Sequence, residues 1–153
     1  MKRLLLAFSL AILISPSFAQ EPAVLSVRKQ AEVIDSWLED RMQNLLPSLM
    51  TETGIDMWIV MSREYNEDPV LKTMLPATWL SARRRTMLVI FNPGAGHPLQ
   101  LHAVARYDVG ELFKKAWDVE KQPDQWQALA DLIRSKKPKR IGINQSASYG
   151  HAD

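Results

Sequence analysis

Seven residues, Ile55-Asp56-Met57-Trp58-Ile59-Val60-Met61, restrict the fold more than any other stretch of the chain. They are β-branched, aromatic and almost continuously apolar. A strand of that composition is covered on both faces, because a half-exposed strand alternates with polar residues. Upstream, Val27, Ala31, Ile34, Leu38, Met42, Leu45 and Leu49 recur every three or four residues, with Arg28, Lys29, Glu32, Asp35, Glu39 and Asp40 on the other face. That spacing predicts an amphipathic helix, capped by Ser26, stopped by a left-handed Gly54 and kinked in its last turns by Pro47. A helix, a glycine and then an interior strand open an α/β fold.

The rest of the chain extends the same plan. Residues 62–82, broken by Pro69 and Pro76, read as an irregular excursion with short helical turns. Thr86–Phe91 and Leu99–Arg106 read as two strands, and the turn formers Asn92-Pro93-Gly94-Ala95-Gly96-His97-Pro98 between them make an antiparallel hairpin. A helix over about 123–135 and a short strand over 140–144 complete a mixed sheet with helices packed against it, in one domain over residues 20–153. The polar stretch from Asn144 to Asp153 follows that strand with no capping element, so the sequence reads as the front part of a longer protein.

The first nineteen residues stand apart. Met1-Lys2-Arg3 is positively charged, Leu4–Ile14 is apolar, and Ser17-Phe18-Ala19 offers small residues where a signal peptidase reads. This is the pattern of a secretory signal peptide cut after Ala19, which implies a periplasmic or secreted product. The apolar run is shorter than the roughly 20 residues that span a bilayer, so no membrane anchor is expected. Of the 19 basic residues, two lie in this leader, leaving 17 against 17 acidic ones. A neutral chain has no overall field for a polyanion, so nucleic acid is not expected as a partner. The absence of cysteine excludes disulfides, thiolate metal sites and a thiol nucleophile.

Chemical motifs are sparse. His97, His102 and His151 share no metal-ligand spacing, and a site built from His97, His102, Asp108 and Glu111 is the only arrangement that would make this stretch an enzyme by itself. His151 and Asp153 could place two ligands on one side of an extended chain but lack companions. Gly94-Ala95-Gly96 lacks the third glycine of a dinucleotide loop and fits a hairpin turn, and no serine sits in a nucleophile elbow. The basic runs Arg83-Arg84-Arg85 and Lys136-Lys137-Pro138-Lys139-Arg140 read as solvated loops able to meet anions at strand ends. Of the five tryptophans, Trp37, Trp58 and Trp126 are expected in the core, while Trp117 carries no assignment. Trp79 differs, because an aromatic beside arginines on a loop suits an interface or a substrate wall as well as simple packing.

One family shares this order of residues. The amphipathic helix, Gly54-Ile55-Asp56-Met57-Trp58-Ile59-Val60, the loop Arg63-Glu64-Tyr65-Asn66-Glu67-Asp68-Pro69 and then Trp79-Leu80-Ser81-Ala82-Arg83-Arg84-Arg85 before an apolar strand resemble the N-terminal domain of creatinase and Xaa-Pro aminopeptidase type metallopeptidases. The resemblance covers about residues 26–153 and points to exported bacterial members. It implies a mixed sheet with flanking helices, followed by a catalytic pita-bread domain. There, two Asp, one His and two Glu hold two divalent metals, commonly manganese, that activate water to cleave an N-terminal Xaa-Pro bond. None of those five ligands matches a residue here, so no catalytic or metal residue is assigned and this segment alone is expected to be inactive. The front domain in that family aids dimerisation and walls the active site, often that of a neighbouring subunit. The residues expected to do so here are Trp79, Arg83, Arg84 and Tyr65. A stand-alone periplasmic binding or interaction module is the competing expectation.

Overall fold

A computed structural model describes residues 24–94 and 96–149. The signal-peptide reading of residues 1–19, and His151 and Asp153, lie outside the described residues.

The first helix starts where expected. Ser26 accepts the Lys29 N–H at 3.4 Å and opens α1 (Val27–Asp40), which runs through a π-helical turn, Arg41–Leu45, into α2 (Leu46–Thr53). Gly54 ends it with φ +66°. Departure from regularity near Pro47 was expected, and it takes the form of this widened turn: the proline ring crowds the carbonyl four residues back, at Gln43. The turn also changes which face is buried. An i+4 row drifts around a helix of 3.6 residues per turn, and the wider turn absorbs a residue, so Leu38, Met42, Leu46 and Met50 all stay inward. Ile34, Leu45 and Leu49, expected on the buried face, are exposed instead.

β1 (Met57–Arg63) follows, then the short helix α3 (Pro69–Thr73), β2 (Arg85–Phe91), β3 (Gln100–Ala103), β4 (Lys114–Lys115), α4 (Gln125–Lys136) and β5 (Ile141–Ile143). The sheet order is β4-β3-β2-β1-β5, with β1–β2 and β2–β3 antiparallel and β1–β5 and β3–β4 parallel. The fold is therefore mixed α/β, as the sequence indicated, with β4 the strand not foreseen. Two lysines carry no strand signal of their own.

The apolar β1 is covered on both faces. Val60, Leu88 and Ile90 meet the α1–α2 helix, Leu71 and Phe113 on one side, with Trp58 packed against them. Met57, Ile59, Met87 and Val89 meet Trp117 and the inner face of α4, Ala128 and Leu129, on the other. Burying each such side chain contributes about 1.5–3 kcal/mol. Two of the tryptophans expected in the core lie elsewhere. Trp37 is 65% exposed because Leu38, one residue on and about 100° around the helix, takes the inward position. Trp126 is 39% exposed, since Ala128 and Leu129 form the inner face of α4 and Trp126 is left near the helix start, where it receives Arg85.

His102 lies on β3 opposite Val89, on the α4 side of the sheet, and its Nε2 has no hydrogen-bond partner. Burial, and secondarily the Lys136 charge, lower its pKa from the ordinary 6.5. Below about pH 6.5 the unfolded chain therefore binds a proton that the folded one refuses, and stability falls as the pH drops. Urea midpoints measured from pH 8 to pH 5 are expected to decline less in His102→Leu than in the parent; parallel declines would assign the pH dependence to other groups.

Candidate functional site

The site sits at one end of the sheet, where β1 leaves, β2 enters and the chain after β3 exits. Antiparallel pairing does this. With Leu88 opposite Ala103 and the Val104 N–H donating to the Met87 carbonyl, the residues before β2 and those after β3 run side by side. Residues 83–85 and 105–107 thus meet, although some twenty positions separate them in sequence.

Two loops are held there by carboxylates. Glu64 accepts the Arg84 N–H at 3.1 Å, and its own N–H donates to the Arg84 carbonyl at 2.6 Å. Glu67 accepts the Ala82 N–H at 3.1 Å and the Tyr65 N–H at 3.3 Å. Both loops contain a non-glycine residue in the left-handed region, Tyr65 at φ +71° and Arg84 at φ +52°. Such conformations cost of order 1–3 kcal/mol and persist where surrounding bonds over-determine them. On the other side, the Asp35 carboxylate accepts the Ala77 N–H at 2.8 Å and the Trp79 N–H donates to the Pro76 carbonyl at 2.8 Å, which ties the tryptophan's turn to α1. Gly110, at φ +62°, lets the adjoining loop approach Pro76, since a Cβ there would stand 3.0 Å from the proline ring.

The side chains then stack. The Arg83 guanidinium lies 4.5 Å from the Trp79 ring centroid and 5.6 Å from that of Tyr107, and the two rings meet edge to face at 5.7 Å. Arg85 lies 5.1 Å from Trp126, and Arg106 lies 5.9 Å from Trp117. Stacked guanidiniums keep their in-plane donors available while the ring covers one face. A small cavity of ≈ 170 Å³ opens between Arg83, Arg84, Arg85, Arg106, Tyr107 and Trp117. Gln125 closes it by donating to the Arg85 and Val104 carbonyls at 3.0 and 2.7 Å.

Of the four residues singled out in the sequence, Trp79 and Arg83 are in direct contact and Arg84 adjoins them. Tyr65 is 90% exposed on the neighbouring loop, linked to the others through Glu64 and Glu67 rather than by a ring contact. Arg83 and Arg84 are exposed, as residues of a solvated loop are, while Arg83, Arg85 and Arg106 each have an aromatic ring centroid within 5.9 Å. Arg106, Tyr107 and Trp117 were missed; an Arg-Tyr pair just past a strand end was the available signal. His97, His102, Asp108 and Glu111 do not assemble, since no three His, Asp or Glu side chains converge into a metal-binding group among the described residues. Asp108 instead accepts the Lys115 N–H at 2.7 Å, which, with Lys114 beside it, holds its carboxyl below the usual range.

No helix among the described residues is long and apolar enough to cross a membrane. No family model, no curated protein and no solved structure matches the chain.

Proposed function

We propose that this chain is the non-catalytic N-terminal domain of an exported metallopeptidase resembling Xaa-Pro aminopeptidase, with a creatinase N-terminal-like arrangement of its mixed sheet. Its role is to support dimerisation and to wall the active site of a following pita-bread domain, that of its own or a neighbouring subunit. The observation that carries this reading is the Arg83–Trp79–Tyr107 stack, a braced aromatic and cationic wall at one end of the sheet. A peptide lying along it would find apolar ring surface and guanidinium donors together, the combination that dominates recognition surfaces. The two divalent metals that the reading calls for, commonly manganese, do not fit the described residues, which bring no ligand set together. On this reading they belong to the catalytic domain.

The competing reading, a periplasmic binding module, is favoured by one feature. The arginine-lined cavity is formed by residues of this chain.

The native protein, isolated from the periplasm of its source and assayed with an Xaa-Pro peptide and added manganese, separates the two. The expected result is a polypeptide heavier than 17.4 kDa that releases the N-terminal residue. In that protein Trp79→Ala is expected to raise KM several-fold and to change kcat less, because a wall contact acts on substrate binding. A native species no heavier than this chain and without hydrolysis would overturn the peptidase reading and leave the binding module.

A further inference from the structure

The arginine cavity points to a ligand of its own, independently of the peptidase reading. We propose that Arg83, Arg84 and Arg106 form a binding site for a phosphate group. All three line the same cavity of ≈ 170 Å³, and none has a carboxylate partner among the described residues. The acidic side chains near it are engaged elsewhere: Glu64 and Glu67 accept the main-chain N–H groups of Arg84 and Ala82, and Asp124 accepts those of Trp126 and Gln127 at the start of α4. None of these carboxylates pairs with the Arg83, Arg84 or Arg106 guanidinium, so these three cations are open to an external anion.

Geometry narrows the anion. The Arg83 guanidinium lies over Trp79 and near Tyr107, and that of Arg106 near Trp117, so each of these exposed cations has an aromatic neighbour that narrows the positions it takes before a ligand arrives. The Arg84 backbone is fixed in its left-handed conformation by two hydrogen bonds to Glu64. Three arginines lining one small cavity carry more charge than a single monovalent carboxylate neutralises. A phosphate group brings up to two negative charges and three strong acceptor oxygens, which suit several arginine forks at once. The volume admits such a group with a few waters and excludes a folded peptide segment. Its source is either free phosphate or a phosphate monoester headgroup, as in phosphatidic acid, since both present three free oxygens and up to two negative charges.

Titration of the full chain with inorganic phosphate in low-salt buffer, followed by calorimetry, tests this. Saturable binding is expected, weakened about tenfold or more by Arg84→Ala and by Arg106→Ala, the scale of losing a charge-assisted hydrogen bond. Arg106→Lys keeps the charge and loses the fork, so an intermediate, several-fold weakening is expected from a variant whose circular dichroism matches the parent. Arg134→Ala, on the exposed side of α4 and paired with Asp131, should bind as the parent does. In a parallel arm, cosedimentation with phosphatidylcholine vesicles containing phosphatidic acid, against phosphatidylcholine alone, identifies the source. Binding confined to the anionic vesicles with the same arginine dependence assigns the site to a lipid headgroup. Phosphate binding equal in Arg84→Ala, Arg106→Ala and Arg134→Ala, displacement by equimolar acetate, or binding in neither arm would overturn the proposal.

Discussion

Phe113→Ala is expected to cost about 3–5 kcal/mol, the usual loss for emptying a large aromatic site in a core. Phe113 has no exposed surface and packs in the cluster that joins the α1–α2 helix to the sheet, yet it lies in the stretch between β3 and β4, outside any regular element. Its backbone pairs with Val109, which donates to the Phe113 carbonyl at 2.9 Å. The ring therefore pins a loop that would otherwise have little to hold it, and Gly110, against Pro76, belongs to the same loop. A domain of this size is typically stable by about 5–15 kcal/mol, so the variant should lie close to its unfolding threshold. With a urea slope of about 1–3 kcal/mol per molar, the midpoint should fall by about 2 M. Phe113→Leu, which retains most of the volume, should lose far less; equal losses in both would mean that the ring is held by shape rather than by filling.

Asp68→Ala is expected to cost about 2–4 kcal/mol, from two polar groups left without acceptors. Asp68 is only 6% exposed. One carboxylate oxygen accepts the Val70 N–H at 2.7 Å and caps α3; the other accepts the Asn144 amide at 2.7 Å. Asn144 in turn accepts the Trp58 indole N–H at 2.9 Å, and the Asp68 N–H donates to the buried Ser62 hydroxyl at 2.9 Å. This chain of bonds joins β1, the loop after it and the residue following β5. Thermal melts should show the lost stability, and hydrogen exchange should quicken first at Ile141–Ile143, since β5 is an edge strand whose exit Asn144 anchors. Unchanged exchange there would show that the pairing with β1 holds the strand without the asparagine.

Much of the fold was legible because its signals are local. The cap at Ser26 and the stop at Gly54 depend on residues a few positions apart, and the apolar run of β1 declares burial on both faces whatever covers them. The hairpin of β2 and β3 follows from turn formers between two apolar stretches. By contrast, Trp37 and Trp126 were misplaced because periodicity gives a stripe and not its edges: a shift of one residue moves a side chain about 100° around the helix. β4 was invisible because two lysines become a strand only when β3 lies alongside.

The candidate site divides in the same way. An aromatic next to a run of arginines could be read directly, which singled out Trp79, while Arg83 and Arg84 were expected beside it from the family resemblance. Their partners Arg106, Tyr107 and Trp117 could not, because only the antiparallel register of β2 and β3 and the packing of Trp117 under the sheet bring them to that end. The sequence by itself determined the helix limits, the interior strand and the chemistry available at the loop, all of which arise from neighbours along the chain. Tertiary structure alone decided the strand order, the buried edge of each helix and the closing of the arginine cavity, because these depend on contacts between residues that the chain keeps far apart.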